Sequence, residues 1–474
     1  MEFDQYDVTE HFDEMFDGSD CRGYYEELRN YLKEFSKRRL LQLQDSANKA
    51  QMSMGMTFNV YHDKQGMERI LHLDIMPRIL CAQDWAILER GLHQRIKAIN
   101  QFIHDLYHDQ QILKDGVVPS DLILSSPDFL APCVGLEPPR GVWCHITGSD
   151  IVRDKSGQFY VLEDNLRCPS GVSYMLENRE IIKQAFSDLF VNLGVRPVAD
   201  YPNHLLAMLQ YLSDKQYPTV AVLTPGIYNS AYFEHSYLAQ QMGVELVTGQ
   251  DLIVKNHLVY MQTTQGLRQV DVIYRRIDDT FMDPLAFNPD SLLGVPGLFE
   301  AYKRGNVALA NAPGTGVADD KAVYAYVPRI IEYYLGEKPI IDNVPTYICS
   351  EKESLEYVLD NIEQLVVKET NAAGGYGMLI GPKAKPGDHE KFRKLVAENP
   401  RNYIAQPTLS LSTVPTLTKS GFRPRHVDLR PYILYGSDIN VIPGALSRVA
   451  LVEGSLVVNS SQGGGSKDTW VLFE

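Results

Sequence analysis

Residues 150–165 have the sequence DIVRDKSGQFYVLEDN, in which two alternating segments flank the turn DKSG. Alternation of apolar and polar residues on both sides of a turn predicts a β-hairpin. If Arg153 pairs with Gln158, Asp150 and Glu163 become diagonal neighbours on adjacent strands. The hairpin therefore predicts two carboxylates that lie close together.

The same register predicts which side chains point to one side of the hairpin. Asp150 lies opposite Val161, and Val161, Glu163 and Asn165 share a face because side chains alternate with a period of two. Two carboxylates and an amide supply the hard oxygen ligands that Mg²⁺ prefers. The alternative is a surface hairpin with solvated acids. The following segment RCPSG, which begins at Arg167, favours the metal site because it adds a cation and a tight turn.

A second signal is the segment LVVKETNAAGGYGM at residues 365–378. Lys368 ends an apolar strand, and the small residues after it let backbone N–H groups approach phosphate oxygens. The chain contains no GxxxxGK[ST] motif, and Gly-rich turns are common in proteins that bind no nucleotide. The candidate phosphate loop comprises Gly374, Gly375, Tyr376 and Gly377.

Two more segments carry candidate nucleotide contacts. The strand NYIAQPTL ends at Gln406, Pro407 and Thr408, whose backbone is a candidate for reading an adenine edge. The segment NAPGTGVADDKAVYAY places Lys321 in the first turn of a helix, and helix N-termini favour anions.

Arginines follow on later strands. In RHVDLRPYIL, Arg430 shares a face with Asp428 and His426, while Val427 and Leu429 face the core. Arg448 follows in LSRVAL. For any one of these arginines, a structural salt bridge is the alternative role.

Taken together, the segments resemble the circularly permuted ATP-grasp family, which is related to glutathionylspermidine synthetase. The resemblance extends from about residue 50 to the C-terminus. It is carried by GSDIVRDKSGQFYVLEDNLRCPSGVSYMLENR, PGIYNSAYFEHSYLAQQMG, VDVIYRRIDDTFMDPL, ALANAPGTGVADDKAVYAYVP, LVVKETNAAGGYGM, YIAQPTLS, RPRHVDLRPYI and GSLVVNSSQGGGSKDTWVL.

The resemblance implies an α/β (α+β) fold, namely a circularly permuted ATP-grasp fold with an inserted Rossmann-like α/β pre-ATP-grasp domain. In an unpermuted ATP-grasp enzyme the lysine strand and Gly-rich loop precede the metal-binding E-x-N strand. Here Glu163 and Asn165 precede Lys368. The domains expected are an N-terminal helical extension (1–50), the metal-binding part of the ATP-grasp fold (51–194), the pre-ATP-grasp-like domain (195–315) and the nucleotide-binding part (316–474).

Periodicity adds a coarse secondary structure. Amphipathic spacing predicts helices over residues 24–44 and 85–107, and a further helix is expected over 318–335. Short β-rich runs around one helical segment predict a mostly parallel sheet between residues 195 and 315.

The resemblance also implies ligands. Asp150, Glu163 and Asn165 are expected to hold one or two Mg²⁺ ions. The residues expected to contact ATP are Lys321, Lys368, Gly374, Gly375, Tyr376, Gly377, Gln406, Pro407 and Thr408.

The reaction implied is formation of an acyl phosphate from a carboxylate and ATP, followed by attack of an amine and release of ADP and phosphate. The expected substrates are a small-molecule or peptide carboxylate and an amine. Arg430, Arg167 and Arg448 are the candidates for stabilising transition-state charge. A phosphotransferase and a non-catalytic nucleotide-binding subunit remain alternatives, because the fold alone does not decide among them.

Composition limits the other partners. The chain has 474 residues and a formal net charge of -15, which argues against binding to nucleic acid. An acidic N-terminus and the lack of any apolar run of roughly 20 residues predict a cytoplasmic protein without membrane contact. The six cysteines form no CxxC pair and are expected to be reduced.

Two further expectations concern charged residues outside these motifs. Arg275 or Arg276 is expected to present a cation to the substrate. The Gly-rich segment 462–467 is expected to pack near the nucleotide cleft, anchored by Trp470, with Lys467 available to an anionic ligand.

Overall fold

The computed structural model describes residues 3, 6–8, 10–59, 68–370, 377–456, 458 and 463–474. Helices and strands both occur along most of the described residues, which confirms the predicted mixed α/β fold. The strands are β1 (Phe16–Asp17), β2 (Asp20–Cys21), β3 (Thr57–Asn59), β4 (Glu68–Ile70), β5 (Leu73–Leu80), β6 (Ile146–Arg153), β7 (Phe159–Asn165), β8 (Val220–Leu223), β9 (Glu245–Val247), β10 (Leu252–Lys255), β11 (Leu258–Thr263), β12 (Gly266–Gln269), β13 (Val272–Arg275), β14 (Ala308–Ala310), β15 (Asp342–Asn343), β16 (Tyr347–Ile348), β17 (Leu365–Glu369), β18 (Met378–Ile380), β19 (Tyr403–Pro407), β20 (Thr413–Thr418), β21 (Gly421–Tyr435), β22 (Ile439–Val449) and β23 (Gly465–Val471).

The helices are α1 (Glu26–Lys33), α2 (Lys37–Ser53), α3 (Ala82–Tyr107), α4 (Gln111–Lys114), α5 (Ser120–Leu124), α6 (Val172–Ala185), α7 (Ser187–Asn192), α8 (Tyr201–Tyr211), α9 (Tyr232–Met242), α10 (Asp279–Met282), α11 (Leu298–Lys303), α12 (Lys321–Tyr324), α13 (Val327–Leu335), α14 (Lys352–Asn361) and α15 (Pro386–Glu398). Within the described residues, no helix combines the length and the apolar character needed to cross a membrane.

The central sheet joins strands from both ends of the chain. Its order is β15-β7-β6-β21-β22-β23-β5, and β20 pairs with β21 beside this path. The β6–β7 hairpin of the metal-site prediction therefore lies against β21, the strand that carries Arg430. Neighbours in this sheet come from distant parts of the sequence.

Helix α3 covers one face of the central sheet. Its apolar residues recur at helical spacing, and they include Trp85, Leu92 and Phe102, each fully buried. They share a core with Leu429 and Ile433 of β21. Burial of each large apolar side chain contributes about 1.5–3 kcal/mol, so this packing fixes the helix on the sheet.

Three smaller sheets complete the site's surroundings. The parallel sheet β14-β13-β8-β9, with α9 between β8 and β9, confirms the α/β unit expected within residues 195–315. The antiparallel sheet β10-β11-β12 lies within the same part of the sequence. The antiparallel sheet β16-β19-β17-β18 carries Lys368 on β17 and Gln406 on β19. The exact domain boundaries given above stay predictions.

Two predicted helices are interrupted. The helix expected over 24–44 is divided into α1 and α2, because the Ser36 hydroxyl accepts a hydrogen bond from the N–H of Arg39 and starts a new helix. The helix expected over 318–335 is also wrong as one element. It consists of α12 and α13, which begin separately, and Pro328 occupies the first turn of α13.

Candidate active site

The β6–β7 hairpin brings Asp150 directly opposite Glu163, and a β-bulge follows between Asp150 and Ile151. The predicted register was therefore wrong: Arg153 pairs with Phe159 instead of Gln158, and Val161 pairs with Ile151 instead of Asp150. The loop shifts the strand pairing by one residue, and the bulge shifts it by one more. Asp150 and Glu163 are therefore direct cross-strand partners instead of diagonal neighbours.

The loop chemistry explains the first shift. The side chain of Asp154 accepts hydrogen bonds from the N–H groups of Ser156 and Gln158, at 2.8 and 3.0 Å. These bonds and the Asp154 N–H to Gln158 carbonyl bond stabilise a five-residue loop. The bulge accounts for Val161, which lies buried on the core face, opposite to Glu163. Glu163 and Asn165 share a face, as predicted, but Val161 does not.

Asp150 is buried and held by two arginines. Its Oδ1 accepts from Nε of Arg430 at 2.5 Å, and its Oδ2 accepts from Nη2 of Arg430 at 2.8 Å and of Arg448 at 2.5 Å. Asp428 accepts from Nε of the same Arg448 at 2.9 Å. Burial alone would raise the pKa of Asp150, but Arg430 and Arg448 hold that pKa well below its ordinary value. Asp150 is therefore an anion in the folded protein.

Glu163 faces the lysines from the C-terminal half of the chain. Its Oε2 lies 3.8 Å from Nζ of Lys321, and its side chain is 28% exposed. Nζ of Lys368 donates to Oε1 of Gln406 at 2.7 Å. Burial lowers the pKa of Lys368 to about 8, Glu163 opposes that shift, and Lys321 adds to it. One cluster thus contains carboxylates from β6–β7 and lysines from α12 and β17.

The donor set of the hairpin fits a hard cation. Asn165 pairs with Gly148, on the face that Asp150 and Glu163 share. A Cβ added at Gly148 would lie 3.7 Å from Cγ of Arg430, so this face is close to the arginine as well. Two carboxylates and one amide are oxygen ligands of the kind that Mg²⁺ takes.

Arg167 lies in a separate ionic group. Its guanidinium contacts Asp319 at 2.7 Å, Asp278 at 3.3 Å and Asp128 at 3.4 Å. Oδ1 of Asp319 also accepts from the N–H of Leu166 at 2.5 Å. Burial raises the pKa of Asp319 to about 6, although Arg167 opposes the shift. The structure brings Arg430 and Arg448 together on Asp150 and holds Arg167 on these carboxylates instead.

The nucleotide-loop candidates are only partly described. Gly374, Gly375 and Tyr376 lie outside the described residues. Gly377 has a φ of 65°, a left-handed backbone conformation that favours glycine, and a Cβ there would lie 2.6 Å from Cδ of the Glu369 side chain. On β19, Pro407 pairs with Leu365, which ties the hinge candidates to the lysine strand.

The other two hinge candidates are held by side-chain contacts. Gln406 accepts from Lys368 and donates to Oγ1 of Thr346 at 3.0 Å. The hydroxyl of Thr408 donates to the carbonyl of Gln364 at 3.0 Å.

The structure contradicts the expectation that Arg275 or Arg276 presents a cation to substrate. Arg275 donates to the carbonyls of Asn311, Ile277 and Ala312 and is completely buried. Arg276 is buried as well and is held by Glu234 at 2.9 Å and by the Pro169 carbonyl. Both guanidiniums are buried in contacts within the protein, so neither presents an exposed cation to a substrate.

Lys467 also differs from its expectation. Its ammonium is fully buried and donates to Asp74 at 2.5 Å and to the carbonyls of Pro415 and Met76 at 3.0 and 3.2 Å. All three N–H bonds are used, so Lys467 is not available to an anionic ligand. Trp470 is fully buried on the same strand, which confirms the predicted anchor.

Sequence reasoning missed the acids that position the cations. Asp428 holds Arg448, and Asp319 holds Arg167 and the backbone of the turn after β7. Glu234 accepts from the N–H groups of Gly171 and Ser173 and so fixes the other end of that turn. Asp428 was visible as the residue on the same strand face as Arg430, whereas the sequence carries no signal that pairs Glu234 with the turn.

Comparison with known proteins identifies the architecture. A family model described as circularly permuted ATP-grasp type 2 matches residues 77–450. The chain belongs to this family. The ATP-grasp assignment made from the sequence motifs is thereby confirmed, and use of ATP with a divalent metal is general in ATP-grasp proteins.

Relatives of this ATP-grasp chain include proteins of similar length and longer ones. An uncharacterised protein of Synechocystis sp. is 56% identical and spans 100% of this chain and 99% of its own length. An uncharacterised protein of Mycobacterium tuberculosis is 51% identical over 97% of this chain and 84% of its own. A putative glutamate–cysteine ligase of Frankia alni is 43% identical over 89% of this chain, which matches only 49% of that relative.

A solved structure supports the same fold. The apo form of a glutathione synthetase-like effector from Globodera pallida superposes with a TM-score of 0.61 over 93% of this chain and 98% of the effector. The two sequences are 12% identical, so the likeness concerns the ATP-grasp fold alone.

Proposed function

We propose that this ATP-grasp protein is an ADP-forming ligase that joins a carboxylate to an amine at the expense of MgATP. The observation that carries the proposal is the single cluster in which Glu163 and Asp150 of the hairpin face Lys321 and Lys368 of the C-terminal half. A phosphate chain with its magnesium requires cations and oxygen ligands on opposite sides, and this cluster supplies both.

The lysines are proposed to bind the nucleotide. Lys321 begins α12, and its ammonium group lies 3.8 Å from Oε2 of Glu163. Lys368 on β17 is near enough to Lys321 for each charge to affect the other. Phosphate oxygens between the two ammonium groups relieve that repulsion. The remaining nucleotide contacts proposed are the loop at Gly374, Gly375, Tyr376 and Gly377 and the hinge at Gln406, Pro407 and Thr408.

Asp150, Glu163 and Asn165 are proposed to hold Mg²⁺. When bound, the ion neutralises charge on the β and γ phosphates and orients them for in-line transfer. Glu163 has the more open of the two carboxylates, because Asp150 already accepts from Arg430 and Arg448. Those arginines keep Asp150 ionised, which a carboxylate ligand requires.

The chemical steps divide between the two substrates. A carboxylate oxygen attacks the γ-phosphorus, the new P–O bond forms, and the bond to ADP breaks. The amine nitrogen then attacks the acyl carbon, loses a proton, and displaces phosphate as the amide bond forms. Arg430 and Arg448 are proposed to stabilise the phosphoryl oxygens during the first step because they are fixed cations at the metal face. Arg167 is proposed to stabilise transition-state charge near the turn after β7, where its guanidinium is 26% exposed.

The names of relatives support this reaction class. Two Frankia proteins, 43% and 42% identical over 89% of this chain, are named putative glutamate–cysteine ligases. A glutamate–cysteine ligase joins a carboxylate to an amine. We therefore propose amino acids, small peptides and amines as the substrate class of this chain.

The test is ATP turnover with pools of amino acids, peptides and amines in the presence of Mg²⁺. The expected result is ADP, phosphate and a new amide mass in equal amounts. A phosphorylated hydroxyl product would indicate a phosphotransferase instead. Tight ATP binding without turnover in any pool would favour a non-catalytic nucleotide-binding subunit.

A further inference from the structure

The C-terminal end of α3 carries a cluster of metal-ligand side chains that the proposed ligase chemistry does not use. His104 and His108 are four residues apart, so they lie on one side of the helix end. Glu137 approaches from the connection before β6. One ligand-capable atom of each residue lies within 4.8 Å of the others.

The hydrogen bonds of His108 set its tautomer. Its Nδ1 lies 2.8 Å from the carbonyl oxygen of His104, which accepts only, so Nδ1 carries the ring proton. Nε2 lies 3.1 Å from Oε1 of Glu137 and, whenever the ring carries only the Nδ1 proton, presents a bare lone pair to that carboxylate. Within the described part of the chain, this buried nitrogen has no hydrogen-bond partner. Two lone pairs at that distance repel each other unless a proton or a metal ion lies between them.

A backbone carbonyl that fixes the far nitrogen of a histidine is the usual outer support of a metal-bound imidazole. The rings of His104 and His108 are also stacked, with centroids 4.1 Å apart and planes 24° apart, so the two imidazoles lie next to each other at the end of the helix. The site is at the end of a helix whose carbonyls add negative potential, which favours a cation.

Solvent reaches this cluster. The side chain of Glu137 is 73% exposed and that of His108 is 20% exposed, so an ion can enter and water can complete its coordination. The indole N–H of Trp143 lies 3.4 Å from Nδ1 of His104, a long contact that reorientation of the ring would give up. A metal ion at His104 is therefore expected to change the environment of Trp143.

We propose that His104, His108 and Glu137 form a site for a divalent transition metal of the zinc class. Two imidazoles and one carboxylate are the donor types that Zn²⁺ takes, whereas Mg²⁺ prefers oxygen ligands alone. The ion ties the segment before β6 to the end of α3. The site is independent of the proposed ATP site, since none of its ligands belongs to the Asp150 cluster.

The experiment is a Zn²⁺ titration of the full chain against a chromophoric chelator, with saturating Mg²⁺ and no ATP. The variants are His104→Gln, His108→Gln and Glu137→Gln. The matched control is His93→Gln, which changes an exposed histidine of the same helix. Circular dichroism confirms folding of each variant, and Glu137→Gln alters only an exposed side chain, so its fold is not at risk.

Wild type and His93→Gln are expected to bind one Zn²⁺ that His104→Gln and His108→Gln bind at least about 100-fold more weakly. Glu137→Gln is expected to weaken binding by about tenfold or more. Quenching of tryptophan fluorescence by Ni²⁺ should be lost in the same variants. Equal Zn²⁺ affinity in wild type, His108→Gln and Glu137→Gln would overturn the proposal and leave an ordinary imidazolium–carboxylate pair.

Discussion

Two lysines of this protein have similar sequence surroundings and opposite structural roles. Lys368 lies on β17 beside the Gly-rich stretch at 374–377, and Lys467 lies on β23 beside the glycines at 463–465. Lys467 is fully buried, with all three donors bound to Asp74 and two carbonyls. Lys368 donates to one side chain, Gln406, and has Lys321 as a charged neighbour.

The difference lies in how much of each charge is neutralised by the protein itself. The pKa of Lys467 is lowered by burial, but Asp74 opposes the shift with a direct ion pair. Lys368 has Glu163 and Asp150 only as electrostatic neighbours, and Lys321 works against it. A cation that has no direct ion pair among the described residues is suited to an anionic ligand, whereas one with saturated bonds stabilises the fold.

The largest expected effect concerns the carboxylate that faces the lysines. Glu163→Gln should reduce ATP turnover by at least about 100-fold, because it removes an oxygen ligand of the proposed Mg²⁺ site while keeping the side-chain volume. The measurement is phosphate release with the substrate pool found active for wild type. Thermal unfolding should be little changed, since Glu163 is partly exposed.

The matched control for this change is Glu180→Gln. Glu180 is a half-exposed acid on α6 that pairs with Lys183 at 3.6 Å. Turnover of that variant should equal that of wild type. If Glu163→Gln retained full turnover, the hairpin would have no role in metal binding.

The second effect tests the structural lysine. Lys467→Met should lower the free energy of unfolding by about 3–5 kcal/mol, because the fully buried Asp74 loses the cation that pairs with it. Denaturant unfolding followed by circular dichroism measures the change. Lys183→Met, at a half-exposed position, should change stability by less than about 0.5 kcal/mol. A loss equally small for Lys467→Met would mean that the backbone donors to Asp74 suffice.

The fold was predictable where distant segments each carried a local signal. The hairpin at 150–165, the Lys368 strand and the Arg430 strand each have a clear pattern, and family resemblance placed them around one nucleotide cleft. The hairpin and the Arg430 strand share the central sheet, whereas the Lys368 strand belongs to the sheet β16-β19-β17-β18. Trp470 was predictable because an apolar strand at a chain end must be buried. Domain boundaries and a cytoplasmic location stay predictions.

What the sequence did not contain was partner identity. No local sequence pattern identifies Asp74 as the partner of Lys467 or Glu234 as the partner of Arg276, because these contacts join residues far apart in the chain. The hairpin register failed for a related reason. The Asp154 loop and the bulge after Asp150 are side-chain and packing effects that a simple alternation rule omits. Deleting residues 462–474 would remove β23 from the central sheet. Loss of turnover in that variant would therefore report on folding and not specifically on the site.

The third effect concerns Lys368, the proposed ligand-binding lysine, and uses the same substitution to methionine as the test of Lys467. Lys368→Met should weaken ATP binding by about 10- to 100-fold, which is the loss of one charge-assisted phosphate contact. Calorimetric titration with MgATP in the absence of the acid and amine measures it. Stability should not fall, because folding already disfavours the charged form of this lysine. A destabilised variant with unchanged affinity would reverse the assignment of the two lysines.

The smallest effect is a pH dependence that belongs to Lys368 alone. Its pKa in the folded protein is about 8, so the side chain is charged at pH 7 and mostly neutral at pH 9. If ATP requires the charged form, binding at pH 9 must also take up a proton, and affinity should fall about tenfold between those pH values. The free energy of unfolding depends on pH with the opposite sign to ATP affinity. Between pH 8 and the ordinary lysine pKa of 10.5, the unfolded chain binds more protons, so this group's contribution to stability rises with pH. Lys368→Arg keeps a permanent charge and should bind ATP with little change from pH 7 to pH 9. If Lys368→Arg showed the same tenfold fall as wild type, another group would be titrating, and the cation assigned to the phosphates would have to be Lys321.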